Sequence, residues 1–195
     1  MTAPDQSENG DEKRNRETET VDVETVRQGY DEVADAYARE RSEIPQERAI
    51  IETFLSQSEQ TARVLDLGCG QGTPVSHAIG DSTAVLGLDI SYEQLALATE
   101  NGPYDGYIQG EMTQLPLRDN TCDAVVAFHS IIHVPLESHQ RVIDECARIL
   151  RPRGRLLLSE GPESWCGANP DWFERSVEMQ WNIAGVESRV PAHAD

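Results

Sequence analysis

Apolar residues follow two rhythms along the chain. Between Val21 and residue 57 they recur at three- and four-residue steps, and Val26, Tyr30, Val33 and Tyr37 share one face of a helix expected over about 22–41. Ile44-Pro45 breaks the chain, and Pro45 suits the first turn of a second helix carrying Ile50, Ile51, Phe54 and Leu55. From Arg63 onward short apolar runs alternate with helical stretches. ARVLDL, TAVLGLDI, the weaker YDGYIQG, the β-branched CDAVVAFHS and RLLLSEG read as strands. Between them fall a short helix from Pro74 to Ile79, a helix opened by a capping box of Ser91 and Gln94, and a helix over 136–150. The last of these carries Val142, Ile143, Cys146, Ile149 and Leu150 on one face.

Strand and helix in repeated alternation imply right-handed crossovers. The expected class is α/β: a Rossmann-like, doubly wound, mostly parallel sheet with helices on both faces. Residues 1–20 are polar and charged and read as a disordered acidic tail. Residues 21–195 read as a single domain, with N-terminal helices over 21–57, a core over 62–160 and a short segment over 161–195. In that last segment PDWFERSVEMQWNIAG reads as a helix, and VESRVPAHAD holds no strands of useful length.

VLDLGCGQGTPV places Gly68, Gly70 and Gly72 after the first strand, at the sheet edge where such folds bind ligands. A dinucleotide fingerprint needs its third glycine at position 73, which is Thr73, and a phosphate-cradling loop needs a Gly-Lys pair. Lys13 is the only lysine, so phosphate binding has little support. Glycines here still let the backbone approach a ligand with positive φ. Asp66 offers a carboxylate suited to a cationic ligand group, and Asp89, ending the second strand, stands where an acid can accept from both ribose hydroxyls. Together the two acids favour a ligand with a ribose and a positive charge.

Composition narrows the partners. With 16 basic and 35 acidic residues the net charge is −19, which disfavours nucleic acid and anionic membranes. The acidic, lysine-poor balance resembles that of proteins from salt-loving archaea, where dense carboxylates keep chains hydrated. Four scattered cysteines without a C-x-x-C pair suggest neither a zinc site nor a disulfide framework. No window has the length of apolar sequence that a spanning helix needs, so a cytoplasmic, soluble protein is expected.

VLDLGCGQG, LDIS, GEMTQLPLRDNTCDAVVAFHSIIHV and ILRPRGRLLLSE, in that order, resemble the successive motifs of class I S-adenosylmethionine-dependent methyltransferases of the methyltransferase domain 11 branch. The resemblance covers about 64–160 and implies S-adenosylmethionine as cofactor and a small-molecule methyl acceptor. It implies that Asp66, Gly68, Cys69 and Gly70 line the methionine part, that Asp89 binds the ribose, and that Ile90 flanks the adenine. Glu111, where the family usually has aspartate, and Met112 would lie near the adenine amino group. His129 would contact cofactor or substrate and is the first candidate base for a carbon or hydroxyl acceptor. Tyr37, with Tyr30 as the other candidate, would cover the cofactor from the first helix.

The family normally continues past the fifth strand with a helix and two further strands. Only 34 residues follow Gly161, so these strands are expected to be missing or truncated, leaving a sheet edge for a second copy of the chain to cover. Two alternatives follow: a cofactor-binding module without turnover, or, less favoured because of Thr73 and Asp66, a nicotinamide-dependent oxidoreductase.

Overall fold

A computed structural model describes residues 21–41, 45–57, 62–79, 83–102 and 104–185. The tail expected over 1–20 and the VESRVPAHAD segment lie outside the described residues.

The chain begins with α1 (Val23–Glu40), whose N-cap Asp22 accepts from the Thr25 amide at 3.1 Å, and α2 (Pro45–Ser56). There follow β1 (Arg63–Leu67), α3 (Val75–Ala78), β2 (Ala84–Asp89), α4 (Tyr92–Asn101), β3 (Gly106–Gln109), β4 (Cys122–Ala127), α5 (His139–Ile149) and β5 (Leu150–Leu158). Leu150 opens β5 instead of closing α5. Of the capping box only one half forms: Ser91 Oγ accepts from the Gln94 amide at 3.1 Å, while the Ser91 amide turns to Asp89 Oδ1 at 2.9 Å.

The five strands lie in the order β3-β2-β1-β4-β5, and every neighbouring pair is parallel. Strand alternation divides the core between the two faces. Leu65, Leu67, Val125 and Ala127 pack with Val142, Cys146 and Ile149 of α5. Val64, Ala124 and Val126 pack with Ile51 of α2 and Val75 of α3. Both faces are therefore apolar, as a parallel sheet covered by helices requires. No described helix is long and apolar enough to cross a membrane.

The expectation for the last segment needs correction. The helix expected across PDWFERSVEMQWNIAG is absent. Two antiparallel strands stand there instead, β6 (Trp165–Trp172) and β7 (Val177–Ile183), in a separate two-stranded sheet. The sequence VEMQWNI alternates apolar and polar residues, the period of a strand. Val177 and Met179 bury against α1, where a Cβ on Gly29 would come 2.9 Å from the Glu178 carbonyl. The turn between the strands hides from sequence reading because it uses no glycine. Phe173, Glu174 and Ser176 take left-handed φ values of 56°, 55° and 55° themselves.

Candidate active site

The strand order reverses between β1 and β4, so the loops leaving their carboxyl ends face one crevice. After β1 the backbone turns left-handed at Gly68 (φ 76°) and Gly70 (φ 50°). The amides of Gly68 and Cys69 both donate to the Leu88 carbonyl, at 2.7 and 3.0 Å, which folds the loop over the end of β2. A Cβ on Gly68 would lie 2.3 Å from Ser130 Cβ, so this glycine is required by contact as well as by φ. Ser130, in the loop after β4, donates from Oγ to the Leu67 carbonyl at 2.8 Å and ties the two loops together.

Asp89 closes β2. Its Oδ2 accepts from the Gly70 amide at 2.7 Å and its Oδ1 from the Ser91 amide, and burial raises its pKa. These groups surround a single cavity that gathers nine of the ten sequence-predicted site residues. Gly68, Cys69 and Gly70 come from the glycine loop, Asp89 and Ile90 from the end of β2, and Glu111 and Met112 from the segment after β3. His129 follows β4, and Tyr37 descends from α1. Cys69 is a buried thiol whose pKa burial pushes well up, the opposite of an activated nucleophile.

The tenth residue, Asp66, is not in the cavity wall. It is buried inside β1, 2 % exposed, and Tyr104 Oη lies 2.6 Å from its Oδ2. Burial raises its pKa to about 7, with the Tyr104 hydroxyl working against that rise. The expectation of a carboxylate lining the ligand site came from its place beside the loop. The strand's alternation points the side chain into the core, where a tyrosine meets it.

His129 has a left-handed backbone (φ 53°), and its amide donates to Ser159 Oγ at 2.6 Å. Its Nε2 meets Glu47 Oε1 of α2 at 2.5 Å, a partner 82 positions away. Glu47 is itself 9 % exposed and is approached by Arg41 at 3.4 Å. Tyr30 and His133 form a second pair in the same cavity. His133 Nδ1 donates to the Gln180 carbonyl of β7 at 2.9 Å, which leaves Nε2 to accept from Tyr30 Oη at 2.9 Å. Burial lowers the His133 pKa to about 4 and raises that of Tyr30 well above its usual value, so both stay neutral. Trp172 of β6 meets Tyr30 edge-on at 5.1 Å and Tyr37 at 5.7 Å, backing the α1 tyrosines with the hairpin.

Sequence reading did not single out Glu47, or Gln94 as a lining residue, or the pairing of Tyr30 with His133. Glu47 and Gln94 gave local signals of a helix start only, and the Tyr30–His133 contact spans 103 positions.

Residues 65–158 match the family described as Methyltransferase domain. Among relatives, 27-O-demethylrifamycin SV methyltransferase of Amycolatopsis mediterranei is 35% identical over 106 residues, 50% of this chain and 38% of its own length. The curated relatives that match at this level are longer, and the chain spans about a third of their length. Among solved structures, the DhpI-SAM-HEP complex superposes with a TM-score of 0.66, covering 87% of this chain and 84% of that one at 18% identity. Magnesium protoporphyrin IX methyltransferase from Synechocystis with bound SAH gives 0.58, covering 73% of each chain at 21% identity. These two structures share the fold of this chain.

Proposed function

We propose that the protein is an S-adenosylmethionine-dependent methyltransferase acting on a small-molecule acceptor. The observation that carries this reading is the convergence of the glycine loop, Asp89, Glu111 and the α1 tyrosines on one cavity at the strand-order reversal. The residues fit the cofactor chemically. Left-handed glycines allow close backbone approach, Asp89 carries an acid to the wall, and no lysine lines the cavity to favour a phosphate. The relatives' names, a rifamycin and a protoporphyrin methyltransferase among them, support a small-molecule acceptor.

In this reading Asp89 holds the ribose hydroxyls, Ile90 and Met112 flank the adenine, and Glu111 meets its amino group. Gly68, Cys69 and Gly70 face the methionine part, and Tyr37 covers it. The bound cofactor supplies an already activated methyl group on a sulfonium. The protein's tasks are then to orient acceptor and methyl in line and to exclude water. For a hydroxyl or carbon acceptor, His129 takes the proton. Glu47 receives the Nε2–H, which leaves Nδ1 as the basic atom, and the Glu47 carboxylate stabilises the resulting imidazolium. The acidic, lysine-poor composition supports a further reading, that the protein works in the salt-rich cytoplasm of a salt-loving cell.

Calorimetric titration in high salt with S-adenosylmethionine, S-adenosylhomocysteine and NAD tests the proposal. The two sulfur nucleosides should bind, and Asp89→Asn should weaken S-adenosylhomocysteine at least about tenfold. Binding of NAD alone would overturn the reading. Labelled-methyl transfer to a cell extract separates turnover from binding without turnover.

A further inference from the structure

Trp165, the first residue of β6, is 51 % exposed. An indole left in water forgoes the stabilisation that its burial would bring, so one that is both exposed and held in place needs a reason. A glycine holds it. A Cβ built on Gly167 would come 2.7 Å from Trp165 Cζ2 and 3.1 Å from Cη2, so the indole lies along the strand in space that only glycine leaves free. Gly167 stands opposite Trp181 of β7 and Trp165 opposite Ile183, which puts both indoles on one face of the hairpin. Their ring centroids are 6.1 Å apart.

The rings continue inward from there. Trp181 meets His133 at 5.8 Å, His133 meets Tyr30 at 5.3 Å, and Tyr30 meets Tyr37 at 5.4 Å. His133, Tyr30 and Tyr37 line the cavity, so an unbroken row of rings runs from its wall to the outer end of the hairpin. In a chain of net charge −19 this row is uncharged, because burial keeps His133 and Tyr30 neutral. Indole faces attract flat apolar groups by stacking and by exclusion of water, and they offer less contact to a puckered ring. We infer that Trp165 and Trp181 form a platform for the methyl acceptor outside the cavity, and that this acceptor carries a planar aromatic system of more than one ring. Its reacting atom enters the cavity while its outer rings lie on the indoles, an assignment that rests on the proposed methyltransferase reading.

The probes are phenol, 2-naphthol and 1-hydroxypyrene, which present one hydroxyl on a growing planar surface. Each is titrated into wild type, Trp165→Ala and Tyr92→Ala, with and without S-adenosylhomocysteine. Tyr92, 62 % exposed on α4, controls for adsorption to any exposed ring. Wild type and Tyr92→Ala should bind hydroxypyrene at least about tenfold more tightly than phenol, with naphthol between them. Trp165→Ala should lose about threefold to tenfold of the hydroxypyrene affinity and keep its affinity for phenol and for S-adenosylhomocysteine. Equal hydroxypyrene affinity in wild type and Trp165→Ala, or an equal loss in both variants, overturns the platform. So does a dimer in sedimentation velocity that Trp165→Ala dissociates, since the indole would then belong to an interface with a second copy of the chain. A wild type that fails to bind S-adenosylhomocysteine overturns the cofactor reading instead, and the titrations without it still decide whether Trp165 holds planar rings.

Discussion

Tyr104 has one hydroxyl proton and two oxygens within reach, Asp66 Oδ2 at 2.6 Å and the Gly72 carbonyl at 2.8 Å. That proton is shared between the two acceptors, and burial outweighs the contact, so the carboxyl's pKa still stands at about 7. Its effect on stability has a definite sign. Below the unfolded value near 3.8 both states hold the proton. As pH rises from there to about 7 the unfolded chain releases a proton that the folded chain retains, so stability falls through that window. His133, held neutral with a pKa of about 4, acts oppositely and loses stability as pH falls below its ordinary 6.5. The difference between variant and wild type isolates Asp66. Urea unfolding of Asp66→Asn at several pH values should show its advantage over wild type growing between pH 4 and 7. The growth should approach about 1.4 kcal/mol per pH unit, and a pH-independent difference would refute the buried acid. At this scale the position of the glycines and Asp89 at the crevice was legible because spacing after a strand fixes their surroundings. The burial of Asp66 against Tyr104 was not legible because that partner stands 38 positions away, and Glu47 was missed because only the folded chain brings it to His129.

At the scale of elements, α1 is the roof of the cavity, packed on β7 and tied to α4 by a side chain. Asp31 Oδ1 accepts from Ser91 Oγ at 2.7 Å and from the Glu93 amide at 3.2 Å, while Arg27 holds its other oxygen at 2.5 Å. The α4 N-terminus thus receives a carboxylate from a neighbouring helix as well as its own Ser91 cap. Asp31→Ala should cost about 1–2 kcal/mol of stability and weaken S-adenosylhomocysteine binding. Amide exchange would be the sensitive readout: α1 should exchange faster while α5 keeps its protection. Equal protection in both helices would remove Asp31 from the docking role. The elements from α1 to β5 were readable because each carries a consistent period and a stop signal, such as Pro45 or the Ser91 cap. The hairpin was not, since its turn spends three left-handed L-residues where a glycine would have marked it, and the alternation in VEMQWNI competed with a helix-like composition.

At the scale of the whole molecule, 35 carboxylates against 16 cations repel one another in the folded state more than in an expanded one. Potassium chloride shortens the range of that repulsion from about 10 Å at 0.1 M to about 3 Å at 1 M. Thermal unfolding should therefore move upward by several degrees over that range, and a midpoint insensitive to salt would speak against a charge-limited fold. Charge was readable from the sequence without any structure, but it speaks to setting and solubility, and the cavity's own polarity required the fold.

The cavity joins two portions of chain with different kinship. Its floor, from Gly68 to Val134, falls within the segment matched to the methyltransferase domain family, whereas Val23, Val26, Tyr30, Tyr37 and Arg41 of the roof lie ahead of it. The seam between them consists of a few side-chain bonds, Asp31 to Ser91 and Tyr30 to His133 among them. Such a boundary suits chimeras. Exchanging the first helix, together with its matching hairpin, for that of a relative would recast the upper wall, provided the incoming helix keeps a carboxylate for Ser91, so that one floor serves a repertoire of covers.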